Sequence, residues 1–238
     1  MRWRRPPLLP KRDLDRLEGF LIQAPVILFS MVAHEYAHGY AALRQGDPTA
    51  YQLGRLTWNP VKHIDPFMTV VLPVMTYFFG SFIFGGAKPV PVVPRNYRNY
   101  KRGDIIVSMA GIATNLVLFV VSALFLVAFG LLGRVMPVLN DTFAILQLMM
   151  VMGVLFNLML AMFNLLPIPP LDGSHVMKYL LPPAWALRYQ QLGMYGILIL
   201  LFFMGTSVGR DVLNAWLSPV YWLYGSTMRL VGPYMLSS

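Results

Sequence analysis

His34, Glu35 and His38 sit in the stretch MVAHEYAHGY, inside an otherwise apolar run that begins near Phe20. Four residues apart on a helix, His34 and His38 lie one turn apart on the same face. Glu35, adjacent to His34, reaches a water held between the two rings. This is the H-E-x-x-H arrangement, in which two imidazoles bind zinc and the carboxylate serves as general base. Two chance histidines are a poor rival reading, because the chain has only 4 histidines to distribute. Polar groups at membrane depth are also costly and usually mark function.

A catalytic zinc needs a third protein ligand and an open position for water. The chain has no cysteine, so the candidates are His63, His175 or a carboxylate. Asp172 stands out as the only acid between Thr142 and Val176. It follows the proline break PIPPLDG, which frees backbone and lets a side chain turn inward. The competing reading makes Asp172 an interfacial cap for the short segment that follows. His63, near Asp65 in KHID, reads as a loop residue beside the site, and His175 as a cap of the next segment.

These residues must be held by elements built for lipid. Of 238 residues, 57% are hydrophobic and only 12% charged, against about a quarter charged in a soluble domain. The stretches Ile105 to Gly133, Thr142 to Leu171 and Tyr189 to Gly209 carry no charge. Each exceeds the roughly 20 residues that cross a bilayer core. The chain therefore reads as an all-α polytopic membrane protein with about five to six transmembrane helices and no sizeable soluble domain. The net charge of +9 falls in MRWRRPPLLPKR and RNYRNYKR, beside apolar segments. There it suits topology signals and anionic headgroups, not nucleic acid. The first apolar run continues into HEYAH without a small-residue cleavage site, so a removable signal peptide is not expected.

The first helix is expected from about Phe20 to Leu43, followed by a breaker-rich loop in which YQLGRLTW could form a short β element. PFMTVVLPVMTYFFGSFIFGG is interrupted by Pro73 and Gly80. AKPVPVVPRNYRNYKRGD reads as an extended surface loop. Further helices are expected over about 104–132 and 141–166, then 192–205 and 212–231. The methionines and phenylalanines of LQLMMVMGVLF read as packing or lipid-facing residues.

HEYAH in one membrane helix, AGIATN in another and NLLPIPPLDG after a third together resemble the site-2 protease family of intramembrane zinc metalloproteases. GRLTWNPVKHIDP and AKPVPVVPRNYRN resemble its compact prokaryotic members, which lack PDZ and CBS domains. The resemblance covers about residues 19–182, read as the metalloprotease core. Residues 1–18 form a basic arm and 183–238 the C-terminal membrane helices. It implies one Zn2+ ion, with Asp172 as third ligand beside His34 and His38. It also implies that Asn115 and Asn164 bind substrate backbone or polarise it. The chain has Ile112 where the family commonly has proline in AGPxxN.

The implied activity is a zinc endopeptidase that cuts in or near transmembrane segments of other membrane proteins in a prokaryotic cell membrane. Zinc lowers the pKa of its water, and Glu35 takes the proton and delivers it to the leaving nitrogen. Asn115 or Asn164 would help zinc with the oxyanion. By resemblance the substrates include tethered regulators such as anti-sigma factors. A strand edge in YQLGRLTW could hold an unwound substrate by β-addition. The rival from another class is a non-enzymatic metal-binding membrane protein or transporter, which also uses broken helices with midplane polar residues. Oligomeric state and substrate identity are not written in the sequence.

One geometric demand bends the topology. If every apolar segment crosses fully, HEYAH and Asp172 end up about 15 Å apart in depth, whereas ligands of one zinc lie about 2 Å from it. A re-entrant second segment over residues 66–86 removes the conflict; the alternative is an NLLPIPP break that folds back deeply enough to carry Asp172 to the site. Positive-inside counting favours full spans instead, but that count is a bias and the ligand distance is a hard limit.

Overall fold

The computed structural model describes residues 11–71, 73–75 and 85–236. The elements are α1 (Lys11–Gln45), α2 (Thr49–Gln52), α3 (Tyr100–Val135), α4 (Asn140–Asn164), α5 (Asp172–Met177), α6 (Pro183–Gln191), α7 (Gly196–Gly205) and α8 (Ser207–Val231). Among the described residues there is no strand. The β element expected in YQLGRLTW is corrected: α2 takes up Tyr51 and Gln52, and turns and bends follow. A stretch with weak alternation and no paired partner gains nothing from extending.

Among the described residues, three helices are long and apolar enough to cross a membrane: Gly19–Gln45, Tyr100–Val135 and Pro137–Asn164. They pack as a bundle. The Arg98 amide donates to the Gln45 carbonyl at 2.8 Å, so α3 starts where α1 ends and runs antiparallel to it. The turn Pro137–Leu139 then reverses the chain, and α4 runs parallel to α1. Outward-facing residues of α3 such as Val117 and Leu124 are 60% and 66% exposed, an inversion of the soluble pattern that suits lipid contact. At 10 residues, α7 is only about 15 Å long. The more polar α8 seats Leu217 and Val220 against Val154 and Leu158 of α4.

Helix ends follow local chemistry. Asn99 caps α3 by accepting from the Arg102 amide at 3.0 Å, and Thr206 caps α8 by accepting from the Gly209 amide at 3.1 Å. The α4 helix stops at Asn164 because prolines 167, 169 and 170 follow, and none can donate a backbone hydrogen bond.

The segment over 66–86 begins and ends in one place. The Gly86 amide donates to the Met68 carbonyl at 2.9 Å and the Lys88 amide to the His63 carbonyl at 2.8 Å. The Thr69 hydroxyl reaches the Gly86 carbonyl at 2.7 Å. A single crossing would put its ends about 30 Å apart; side-by-side ends are what re-entry requires. Residue 72 and residues 76–84, including the Gly80 break, lie outside the described residues.

Beyond it, 88–93 forms a strap across α1. The Val90 amide donates to Glu35 Oε2 at 2.7 Å and the Val93 amide to Asp47 Oδ2 at 2.6 Å. Asp47 is fully buried. Its Oδ1 accepts from the Thr49 amide at 3.1 Å, the Thr49 hydroxyl at 2.5 Å and the Asn96 carboxamide at 2.8 Å. Burial would push this carboxyl up, but the hydrogen bonds from Thr49, Val93 and Asn96 outweigh it and hold it below the ordinary carboxylate value.

Candidate metal centre

The bundle brings three donor atoms together. Nε2 of His34 and Nε2 of His38 are 3.0 Å apart. Oδ2 of Asp172 lies 3.2 Å from the first and 3.3 Å from the second. Donors about 2.0–2.1 Å from a tetrahedral zinc are about 3.3 Å from one another, so the triangle has the right size.

Its hydrogen bonding suits it to a cation. His38 Nδ1 donates to the Val107 carbonyl at 2.7 Å, which leaves a bare lone pair on Nε2. His34 Nδ1 donates to Asn115 Oδ1 at 2.6 Å, with the same result. Asp172 Oδ2 is buried without a hydrogen-bond partner. With both Nδ1 protons committed elsewhere, three electron-rich atoms converge when the rings are neutral, an arrangement that a metal cation would resolve.

Space for the ion is left by Gly111. A Cβ there would lie 2.5 Å from His38 Nε2 and 2.7 Å from His34 Nε2, so only glycine fits against the two imidazole donors. Gly173 has a different duty: a Cβ would meet the Leu165 carbonyl at 2.2 Å, so only glycine lets α5 fold back onto the end of α4. That fold-back carries Asp172 to the histidines.

The remaining candidates separate. Glu35 is half-buried and its Oε2 accepts from the Val90 amide; among the described residues its Oε1 has no hydrogen-bond partner. Asn115 is fully buried, with Oδ1 on His34 and Nδ2 donating to Asn157 Oδ1 at 2.9 Å. Both ends of its carboxamide are engaged within the bundle. Asn164 donates to the Leu160 carbonyl at 2.9 Å, one turn back in its own helix, and makes no hydrogen bond to the donor triangle. His63 is fully buried and donates from Nε2 to the Thr57 carbonyl at 2.9 Å, away from the triangle. His175 contacts Asp104 at 3.1 Å.

Sequence reasoning missed Gly111, whose role is a close approach, and Asn157, which lies between Asn115 and Ser30 (3.0 Å). The signal for Asn157 was present: an amide in an uncharged helix needs a polar partner.

An H-E-x-x-H helix met by a carboxylate from a separate element is the donor set of a metalloprotease. The chain is 36% identical over 202 residues to a protein of Bacillus subtilis named "Putative zinc metalloprotease YwhC", a match covering 83% of this chain and 85% of that one. It is 29% identical over 214 residues to "Putative zinc metalloprotease Rip2" of Mycolicibacterium smegmatis, covering 90% and 76%. Rip2 of Mycobacterium tuberculosis is 28% identical over 199 residues, covering 83% and 70%. The chain belongs to this family of zinc metalloproteases. No family model and no solved structure matches it.

Proposed function

We propose that the chain is an intramembrane zinc endopeptidase of the site-2 protease type, integral to a prokaryotic cell membrane. His34, His38 and Asp172 are its metal ligands and Glu35 its general base. The observation that carries this reading is the donor triangle, 3.0–3.3 Å on a side, set between helices long and apolar enough to cross a bilayer. Bound zinc supplies a Lewis acid and a water of lowered pKa. The Val90 amide holds Glu35 Oε2, so Oε1 is the atom that accepts the proton and later returns it to the leaving nitrogen.

An apolar substrate fits the surroundings. A cavity of about 490 Å³ runs beside α1 past Phe20, Ile27 and Met31, with Leu160 of α4 and Leu217 and Tyr221 of α8 opposite. Met31 is one turn before His34, so this surface leads along the helix to the donors. Its lining suits an apolar peptide segment better than a soluble one, which favours membrane-protein substrates; tethered regulators such as anti-sigma factors are the class the family resemblance implies.

The test is cleavage by the purified chain in liposomes, offered a single-span substrate and a soluble peptide of the same juxtamembrane sequence. Mass spectrometry locates the cut. Cleavage in or next to the spanning segment is expected. Efficient cutting of the soluble peptide alone would reject the intramembrane reading.

A further inference from the structure

The third donor rests on weak local structure. Asp172 opens α5, a helix of 6 residues, too short to be stable alone. A ligand must nevertheless be held to within a few tenths of an ångström. Gly173 permits the close approach to α4 but supplies no grip.

The grip comes from α3. Asp104, in its first turns, is only 2% exposed. Its Oδ2 takes the Lys178 ammonium at 2.5 Å and the Tyr179 hydroxyl at 2.9 Å, and its Oδ1 takes His175 Nδ1 at 3.1 Å. All three partners lie on α5 or in the two residues after it. Lys178 is itself buried, with its ammonium 5.0 Å from the Tyr179 ring centroid. An ion pair buried this deeply is poor evidence of extra stability, since apolar residues serve as well; its best use is to select one arrangement. The arrangement selected here is the one that presents Asp172.

The same face of α3 serves the other donors. Asp104, Val107, Gly111 and Asn115 follow at steps of three and four, so they line one side of the helix. Val107 orients His38, Asn115 orients His34, and Gly111 leaves the space between them.

We propose that Asp104 is a positioning residue for the metal centre, gripping Lys178, Tyr179 and His175 so that α5 delivers Asp172 to His34 and His38. This rests on the metal-centre reading above. The experiment is a cobalt(II) titration of detergent-purified full chain, following the ligand-field absorption bands beside the melting temperature. Wild type, Asp104→Asn and the double variant Asp104→Asn/Lys178→Met are compared; the double variant removes the ammonium that Asp104→Asn would strand. Both variants are expected to bind cobalt about 10–100-fold more weakly with altered bands, the double variant at a wild-type melting temperature. If Asp104→Asn does not fold, the double variant decides alone. Wild-type affinity and spectrum in the double variant would overturn the proposal and leave the metal centre standing. A wild type that binds no cobalt would overturn both.

Discussion

Nδ1 of His34 donates a hydrogen bond to Oδ1 of Asn115 at 2.6 Å, and this bond decides which imidazole nitrogen faces the metal position. Asn115 cannot turn its oxygen elsewhere, because its Nδ2 is engaged with Asn157, which in turn reaches Ser30 and the Gly153 carbonyl. The network crosses α1, α3 and α4, so the metal centre and the bundle are set by the same contacts.

Asn115→Leu should therefore weaken zinc binding about 10–100-fold, while Asn115→Asp, which keeps an acceptor, should retain most of it. Competition with a chromophoric chelator measures both. Unchanged affinity in Asn115→Leu, with turnover lost at saturating zinc, would instead return Asn115 to an oxyanion role.

Gly111→Ala places a methyl group 2.5 Å from both His34 Cε1 and His38 Nε2. Purified protein should hold less than about a tenth of the wild-type zinc, because the added carbon crowds both imidazole nitrogens that face the proposed ion. Metal analysis after dialysis checks this, and a full complement would mean that the helices shift to make room.

Glu35→Gln should keep zinc and the strap, since the glutamine oxygen still accepts from the Val90 amide. Cleavage should fall by about 10²–10⁴-fold. A quantitative assay on one membrane substrate decides; near-normal turnover would exclude Glu35 as the base.

Asp47 links acid sensitivity to the strap. Its carboxyl titrates below the ordinary value in the folded chain, so its contribution to stability is present above about pH 4, the unfolded value, and is lost as pH falls through the folded one. Asp47→Asn should cost about 1–3 kcal/mol at neutral pH. The gap in melting temperature between wild type and variant should narrow from pH 7 towards pH 3. A gap that stays constant across that range would show that the charge at Asp47 does not matter.

The donor set was legible in the sequence because the chain is so sparing with charge: His34, Glu35, His38 and Asp172 are conspicuous where almost nothing is ionisable. The need for Asp172 to reach the depth of the histidines also pointed to re-entry; the Gly86 amide meets the Met68 carbonyl, while residues 76–84 between them lie outside the described residues. What could not be read were contacts between helices. Asn115 and Asn157 lie 42 residues apart, and nothing in their spacing says that they touch. Asp104 and Lys178 lie 74 residues apart, and their spacing says as little of the ion pair they form. YQLGRLTW misled because Leu, Thr and Trp suit a strand, whereas the tie from Asp47 to the Thr49 amide and hydroxyl starts a helical turn just ahead of it.

The most direct test of the account is zinc content by plasma mass spectrometry of wild type, Glu35→Gln and Asp172→Ala, purified side by side. About one zinc per chain is predicted for the first two and almost none for Asp172→Ala. A full zinc complement in Asp172→Ala would contradict it, because the third ligand would then lie elsewhere.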